Sequence, residues 1–334
     1  MAGRSTERTK SIGRPEVGIL QLRSVTLNTL RAIRRDPGSF LGFAIVAVVI
    51  LAALLAPLLP LDDPTELDLQ RKLLSPSTEH LLGTDHLGRD ELSRLVFGAR
   101  TTLLMSAASL VIIMTMASVV GGLSGYYGGW VDSGMMMVVD LLLAFPALIL
   151  GVAVAGILGP SLINVMIAVS VVWWASHARV IRGMVLSARR REYVEAARAI
   201  GASDTRIVVF HISRNIVGPF VVLATLDMGW IILGIAGLSF LGLGAQPPTP
   251  EWGAMLNTSR SYMQTSPLLL LAPGGAIFLL VLGFNLLGDG IRDLLDPTTY
   301  RRSDSPGGSM TREAMIPIDH NYLKGLSFGS GMIR

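Results

Sequence analysis

Near the middle of the chain, between two long apolar regions, lies the polar stretch Arg189-Arg190-Arg191-Glu192-Tyr193-Val194-Glu195-Ala196-Ala197-Arg198-Ala199-Ile200-Gly201-Ala202-Ser203-Asp204. We interpret it as two short helices with a bend between them. Glu192 and Glu195 fall in the first turns of the first helix, where carboxylates interact favourably with the positive end of the helix dipole. Gly201 ends that helix, because glycine adopts the left-handed conformation without a steric clash. Ser203 is expected to cap the second helix through its hydroxyl group. From these residues alone, an ordinary basic loop on the inner side of a membrane is the simpler interpretation.

The composition indicates a membrane protein. The 334 residues are 51% hydrophobic and only 16% charged, whereas soluble proteins average about 25% charged residues. The apolar residues form long runs, which is typical of a helical chain that crosses a membrane several times. The net charge of +4 does not indicate nucleic-acid binding, because the basic residues flank apolar runs as cytoplasmic charge does. Cysteine is absent, which excludes disulfides, thiolate metal sites and a cysteine nucleophile.

About six apolar segments can each cross a hydrocarbon layer of about 30 Å at about 1.5 Å per residue. They cover residues 40–59, 101–122, 134–158, 162–178, 220–243 and 268–287. About 39 polar residues precede the first segment, which is too many for a secretory signal, so the first span is expected to be an uncleaved anchor. The turn at residues 121–130 carries glycines and aromatic residues, and we expect it to be tight and to lie at the inner interface.

Prolines mark two further features. Pro273, with the two glycines after it, is expected to break the sixth span. Pro247, Pro248 and Pro250 exclude a regular helix from their part of the preceding loop. We expect that loop to fold back into the outer mouth of the bundle.

The distribution of charge predicts the orientation. Residues 179–214 hold eight arginines against three acids, while residues 61–100 hold eight acids against five basic residues. Positive charge concentrates on the cytoplasmic side, so we place residues 61–100 and 245–267 outside and both termini inside. The last residues, from about 303 onward, are rich in glycine and serine and are predicted to be disordered. The resulting divisions are a cytoplasmic segment (1–39), a transmembrane domain (40–288) and a cytoplasmic tail (289–334).

Two acids lie inside the spans, Asp140 and Asp227. A carboxylate in hydrocarbon is costly and usually faces the protein interior, but Asp140 lies near the inner end, where it can also reach water. A secondary transporter would need coupling-ion sites near the middle of the membrane. These two acids alone support that class of protein only weakly. A membrane enzyme with Ser239 as nucleophile and His177 as base is disfavoured, because no orienting carboxylate is evident.

The outer loop carries a polar signature whose residues are Gly83, Thr84, Asp85, Gly88, Arg89 and Asp90. Asp85, His86 and Asp90 together suggest a metal or acid–base cluster, but their spacing fits neither well. A loop with a glycine-supported turn explains them better, so we expect no catalytic or metal site here.

Several of these motifs resemble one transporter family. Glu195-Ala196-Ala197, then Gly201, with Asn215 and Pro219 downstream, resembles the EAA loop in the membrane subunits of binding-protein-dependent ABC importers. The outer-loop signature and the ending Asp289–Pro297 resemble the dipeptide/oligopeptide/nickel branch, in its second (C-type) permease subunit. The resemblance covers roughly residues 25 to 300. Three positions depart from the family pattern: the stretch 212–215 lacks a proline, so the helix there can run on; Leu81 replaces a proline; and Ile235 stands where many relatives carry a glutamate.

The resemblance implies a fold, a location and a set of partners. It implies an all-α, MetI-like, multi-pass bundle of a type I importer in the bacterial plasma membrane. The loop at about 179–219 would dock into a cleft of an ATP-binding subunit through Glu192, Tyr193, Glu195, Ala196, Ala197, Arg198, Gly201, Ala202 and Ser203. Two such ATPase subunits, a second permease chain and an extracytoplasmic solute-binding protein would complete the assembly. Transported solutes in this branch are mainly di- and oligopeptides, with nickel complexes and glutathione as alternatives.

The chain is not expected to hydrolyse ATP itself. It contains no G-x-x-x-x-G-K-[ST] phosphate loop, and its lysines are Lys10, Lys72 and Lys324, none of them in such a context. ATP and Mg²⁺ would therefore bind to the partner subunits, and this chain would hold no cofactor.

Overall fold

A computed structural model describes residues 36–295. The predictions for the N-terminal residues and for the tail after residue 295 lie outside the described residues. The structure is helical, with one isolated β-bridge between Thr84 and Asp90 and no strand among residues 36–295. The helices are α1 (Pro37–Leu55), α2 (Glu91–Tyr127), α3 (Gly129–Leu143), α4 (Ala147–Leu158), α5 (Leu162–Arg189), α6 (Glu192–Ala199), α7 (Asp204–Phe240), α8 (Trp252–Ser259) and α9 (Leu268–Leu295). Single 3₁₀ turns lie at Ala56–Leu58, Leu69–Arg71 and Arg260–Tyr262.

The predicted bundle of about six spans is confirmed. Within the described range, five helices are long and apolar enough to cross a membrane, and the pair α3 and α4 makes a sixth if it counts as one span. The predicted third span, residues 134–158, is bent in the structure, because its two helices meet at 87°. The break falls at residues 144–146, where Pro146 precedes α4 and has no N–H to continue the hydrogen-bond ladder of α3.

Most predicted spans are shorter than the helices that contain them. Helix α2 begins at Glu91 rather than Thr101, α5 continues beyond Ala178 to Arg189, and α7 begins at Asp204 rather than Phe220. Hydropathy detects only the apolar part of a helix, whereas the polar ends stay helical because they pack on neighbouring chain. The turn predicted at residues 121–130 is therefore much shorter, since α2 runs to Tyr127 and only Gly128, with a φ of 69°, separates it from α3.

Two predicted interruptions differ from the structure. Helix α9 continues through Pro273, so the predicted break in the sixth span is wrong. A proline is tolerated in membrane helices where neighbouring helices and local adjustment satisfy the freed carbonyl group. The absence of a proline at 212–215 has the expected effect, because α7 runs on through that stretch and contains only a π-helical turn at Ile207–Ile212.

Small residues allow the central helices to pack closely. A Cβ atom on Gly121 of α2 would lie 2.4 Å from the carbonyl oxygen of Ala178 on α5, so only glycine fits there. The same holds between α1 and α9, where a Cβ on Gly42 would lie 2.8 Å from the carbonyl oxygen of Gly283. Close backbone approach of this kind is how membrane helices associate without a hydrophobic driving force between them. Helices α2 and α5 thereby form the centre of the bundle.

The loop before α9 does fold back onto the bundle, as predicted. Its proline-rich part is irregular, but the residues after it form α8, which the sequence did not indicate. Trp252 at the start of α8 is buried, and its Nε1 donates a hydrogen bond to the carbonyl oxygen of Leu95 on α2 at 2.9 Å. Helix α8 is therefore part of the packed structure.

Candidate functional site

The polar stretch in the middle of the chain forms a helix followed by a tight bend. Glu192 and Glu195 lie in the first turn of α6, as predicted. Gly201 follows with a φ of 80°. Its N–H donates to the carbonyl of Arg198 at 2.9 Å, and that of Ala202 donates to Ala197 at 3.0 Å. These two bonds are the Schellman pattern, which satisfies the last carbonyls of a helix, so the predicted helix end is confirmed.

Two details of this stretch differ from the prediction. Ser203 occupies the N-cap position of α7 with extended backbone, but its side chain makes no capping hydrogen bond. The second helix is also not short, because α7 continues to Phe240. The bend therefore connects α6 directly to a long membrane helix.

The stretch has a buried side and an exposed side. Val194 and Ala197 are buried, and Tyr193 and Ala202 are half-buried. Glu192, Glu195, Ala196, Arg198, Gly201 and Ser203 are exposed. Ile200, which the sequence analysis did not select, is 84% exposed directly beside the bend. The exposed surface thus combines two carboxylates, a glycine turn and one large apolar side chain.

Tyr126 at the end of α2 connects this stretch to the bundle. Its hydroxyl group donates a hydrogen bond to Asp204 at 2.5 Å, although the two residues are 78 positions apart. The guanidinium carbons of Arg189 and Arg198 lie 5.8 and 5.6 Å from the centre of its ring, within range of a cation–π contact. Tyr126 is buried, so its ring packs against its own chain rather than projecting from it. It holds α5, α6 and α7 together at one point.

Ion pairs join α3 to α5 near the same end of the bundle. Asp132 accepts two hydrogen bonds from Arg182, each of 2.5 Å, and one from the hydroxyl group of Ser124. Asp140 pairs with Arg179 at 2.5 Å, and the Asp140 side chain is 63% exposed. Of the two interpretations left open for Asp140, burial within this chain is therefore wrong.

Asp227 has the opposite environment. It lies on α7, and its Oδ2 is hydrogen-bonded to Nε2 of His177 on α5. Only 14% of the Asp227 side chain and 7% of the His177 side chain are exposed. The expectation that His177 lacks a carboxylate partner is therefore wrong. Ser239 lies 12 residues beyond Asp227 on the same helix, about 18 Å away along the axis, so the structure does not bring the proposed nucleophile and base together.

The outer-loop signature folds on itself. Asp85 Oδ1 accepts hydrogen bonds from the N–H groups of Leu87 and Arg89, at 2.8 and 3.0 Å, and Oδ2 accepts one from Nε of Arg89 at 2.7 Å. Asp90 caps α2 by accepting a bond of 2.7 Å from the N–H of Ser93. Thr84, Asp85, Arg89 and Asp90 are all buried.

Both glycines of the signature are also required by the loop. Gly83 and Gly88 have φ angles of 78° and 79°, which disfavour a side chain. A Cβ on Gly88 would lie 1.6 Å from the carbonyl oxygen of Asp68. The residues of the signature therefore determine the conformation of the loop. This agrees with the prediction of a loop with a glycine-supported turn.

The histidine beside Asp90 is His80 rather than His86, which is nearer to it in the sequence. His86 stacks on Tyr262, with ring centres 5.4 Å apart, and its partial burial lowers the pKa of the imidazole below its ordinary value. His80 lies beside Asp90 instead, with Nδ1 3.0 Å from Oδ1. Among residues 36–295, Asp62, His80 and Asp90 form the group whose ligand atoms lie within 4.8 Å of one another. Asp90 is also the cap of α2. Its bond with His80 therefore connects the loop to the start of that helix, which is a structural role.

Glu251 is a further buried acid that the sequence analysis missed. It caps α8, and its two oxygens accept hydrogen bonds from the N–H groups of Gly253 and Ala254 at 2.8 and 2.9 Å. The side chain is fully buried, and burial raises the pKa of Glu251 despite these bonds. A carboxylate just before a tryptophan was the available signal, but its burial depends on α8 packing against α2 and α7.

Comparison with known proteins gives a consistent result. The family model described as the binding-protein-dependent transport system inner membrane component matches residues 117–300. The chain is 45% identical over 257 residues to the nickel transport system permease protein NikC of Escherichia coli K12. These residues make up 77% of this chain and 93% of that protein. It is 42% identical over 267 residues to the dipeptide transport system permease protein DppC of Alkalihalophilus pseudofirmus, covering 80% and 88%. A glutathione transport system permease protein, GsiD of Pectobacterium atrosepticum, is 42% identical over 267 residues, covering 80% and 89%.

Proposed function

Since this chain belongs to the binding-protein-dependent transport system inner membrane components, and is a permease subunit of an ABC importer, we propose that α6 and the bend at Gly201 form its coupling surface to a separate ATPase. The observation that carries this proposal is the exposed turn itself. Ile200 is exposed beside a glycine in the left-handed conformation, and Glu195, Ala196 and Gly201 of the stretch that resembles the EAA loop are exposed on the same turn.

The internal contacts of the turn support the same role. A coupling element must move as one body with the membrane helices, and Tyr126 and Asp204 tie the turn to α2 and α7. Buried Val194 and Ala197 fix the inner side of α6. A force on the exposed side would therefore be transmitted to α2 and α7.

We further propose the composition of the transporter. One copy of this chain pairs with a different permease chain, two ATP-binding subunits and an extracytoplasmic solute-binding protein. ATP and Mg²⁺ bind to the ATPase subunits, and this chain performs translocation without a cofactor of its own. Affinity purification through a tag on this chain tests the composition, since a secondary transporter would be isolated active without an ATPase.

A cysteine at Ile200 tests the coupling surface directly. Cross-linking from this position should capture the ATPase subunit, whereas a cysteine at the outward-placed Glu79, which is also exposed, should not. Capture of the ATPase from Glu79 alone would contradict the proposal.

The transported solute is proposed to be a di- or oligopeptide. Two of the relatives described above are named for dipeptide and glutathione transport, and glutathione is itself a peptide. Nickel is the alternative, because a relative of similar identity is named for nickel transport. The ligand that co-purifies with the cognate solute-binding protein decides between them.

We propose the orientation from the arginine distribution, with α6 inside and residues 61–100 and 245–267 outside. The natural chain lacks cysteine, so single cysteines report access without background. In intact cells, an impermeant thiol reagent should label a cysteine at exposed Glu79 but not one at exposed Ser187. The reverse labelling pattern would contradict this orientation.

A further inference from the structure

The pair formed by His177 and Asp227 is largely buried between α5 and α7. Asp227 lies seven residues after Phe220 in the apolar segment 220–243, and His177 lies one residue before the inner end of the segment 162–178. Ionisable residues within a membrane span are costly and usually have a function.

Hydrogen-bond accounting shows where the protons of this pair lie. Nδ1 of His177 is 2.7 Å from the carbonyl oxygen of Trp173, which can only accept, so Nδ1 carries a hydrogen. One further proton then lies between Nε2 and Oδ2 of Asp227, since two bare acceptors would repel each other. With that shared proton the pair is neutral as a unit, and without it the pair carries one negative charge. The other carboxylate oxygen, Oδ1, makes no hydrogen bond to the described part of the chain.

A cavity of about 300 Å³ opens beside the pair. Its other walls are Trp173, Ser176, Val180, Leu223 and Trp230. Trp173 packs beside Gly234 and Gly151, since a Cβ atom on either would lie 3.4 or 3.5 Å from its ring, at ordinary van der Waals distance. Trp230 is 64% exposed, so the cavity is open at this side. The volume lies at the lower end of the range for small-molecule sites.

We propose that this cavity binds a protonated primary amine, such as the N-terminal ammonium group of a transported peptide. The proposal extends the function proposed above to one point on the translocation path. An ammonium group that binds at Oδ1 of Asp227 and displaces the shared proton to water would meet one negative charge. The indole rings of Trp173 and Trp230 line the same cavity, and ammonium groups are attracted to aromatic faces. No lysine or arginine lines this cavity, so it does not suit the carboxylate end of a peptide.

The donor set does not favour a divalent metal. One imidazole and one carboxylate are two ligands, and Nε2 of His177 is already occupied by Asp227. Transition metals in proteins usually have at least three protein ligands. The pair could instead be only a structural tie between α5 and α7. The two interpretations differ in what they require. A purely structural link between α5 and α7 requires the hydrogen bond between His177 and Asp227, whereas an amine site requires the negative charge of Asp227.

The test uses the complete transporter, purified through a tag on this chain and placed in lipid nanodiscs without solute-binding protein. Tryptophan fluorescence is recorded during titration with glycylglycinamide, which carries an ammonium group and no carboxylate. N-acetylglycylglycinamide, which lacks the amine, and NiCl₂ are the comparison probes. We expect a saturable change with the amine only, and Trp230→Phe should remove most of it.

Two matched variants separate charge from structure. Asp227→Asn keeps an acceptor for the His177 hydrogen bond but removes the charge, and should weaken amine binding by about tenfold or more. Asp140→Asn removes the other acid of the spans, which lies exposed in a different ion pair, and should leave binding unchanged. Equal binding of the acetylated probe, or unchanged binding in Asp227→Asn, would overturn the proposal in favour of the tie.

The remaining outcomes are also decisive. A saturable response to Ni²⁺ alone, lost in His177→Gln, would replace the amine site with a metal site. A complex that couples ATP hydrolysis to uptake but does not respond to the amine overturns this inference alone. A complex that binds the amine but contains no ATPase overturns the coupling proposal alone.

Discussion

The sharpest prediction concerns a side chain introduced at Gly201. The φ of 80° lies in the left-handed region, and a Cβ atom there would meet no other atom of the described chain within 4 Å. The cost to this chain is therefore backbone strain alone, about 1–2 kcal/mol for an ordinary residue. That is small beside a typical folding free energy of about 5–15 kcal/mol. Gly201→Asp should reach the membrane in nearly normal amount.

The consequence for transport should be much larger. If the bend at Gly201 sits in a cleft of the ATPase, the added side chain and charge clash with the partner rather than with this chain. We expect uptake to be lost and ATPase stimulation by loaded solute-binding protein to disappear. The assay measures membrane level, solute uptake and stimulated ATPase activity on the same preparation.

A second glycine provides a matched control. Gly159, at the end of α4, has a φ of 88°, and a Cβ atom added there would likewise meet no other atom of the described chain within 4 Å. Because the ψ of Gly159 is 162°, a region that is essentially restricted to glycine, Gly159→Asp imposes at least as much strain in equally open space, but far along the chain from α6. It should retain uptake.

A third variant separates strain from surface fit. Asparagine tolerates the left-handed conformation better than other residues, so Gly201→Asn adds bulk with less strain than Gly201→Ala. We expect the asparagine variant to be the more impaired in uptake. Normal uptake by a well-expressed Gly201→Asp variant, or equal loss in Gly159→Asp, would refute the coupling role.

Three further predictions concern single side chains. Tyr126→Phe removes the hydrogen bond to Asp204, worth about 0.5–1.5 kcal/mol, and should speed amide hydrogen exchange in α6, whereas Tyr127→Phe, a change at an exposed ring, should not. Burial raises the pKa of Glu251 above its ordinary value of 4.5, so the folded state favours the protonated form and loses stability as pH rises above about 4.5; the Tm of the natural protein should fall across this range relative to that of Glu251→Gln, and parallel curves would contradict this. Metal analysis of the purified transporter should find no stoichiometric metal that His80→Ala removes, and a bound metal lost in that variant would show that the outer cluster is a ligand set.

Local features of the sequence were sufficient for the spans and for the helix end at Gly201. A long apolar run predicts a membrane span wherever it occurs. A glycine after a short amphipathic helix predicts a residue in the left-handed conformation, because glycine adopts that conformation without a steric clash. Both are properties of adjacent residues. The family motifs around Glu195 and Asp85 were recognisable for the same reason, because each lies within one short segment.

Contacts between distant segments were not predictable in this way. The bond between Tyr126 and Asp204 spans 78 positions, and that between His177 and Asp227 spans 50. Each depends on which helices lie side by side and at what rotation, and hydropathy carries no information about either. The same limit explains Asp90, whose partner is His80 rather than His86, although His86 is nearer in the sequence. Features that depend on backbone preference and on exposure to solvent could be predicted from the order of residues alone. Which polar groups meet inside the bundle was determined only by the packing of the helices.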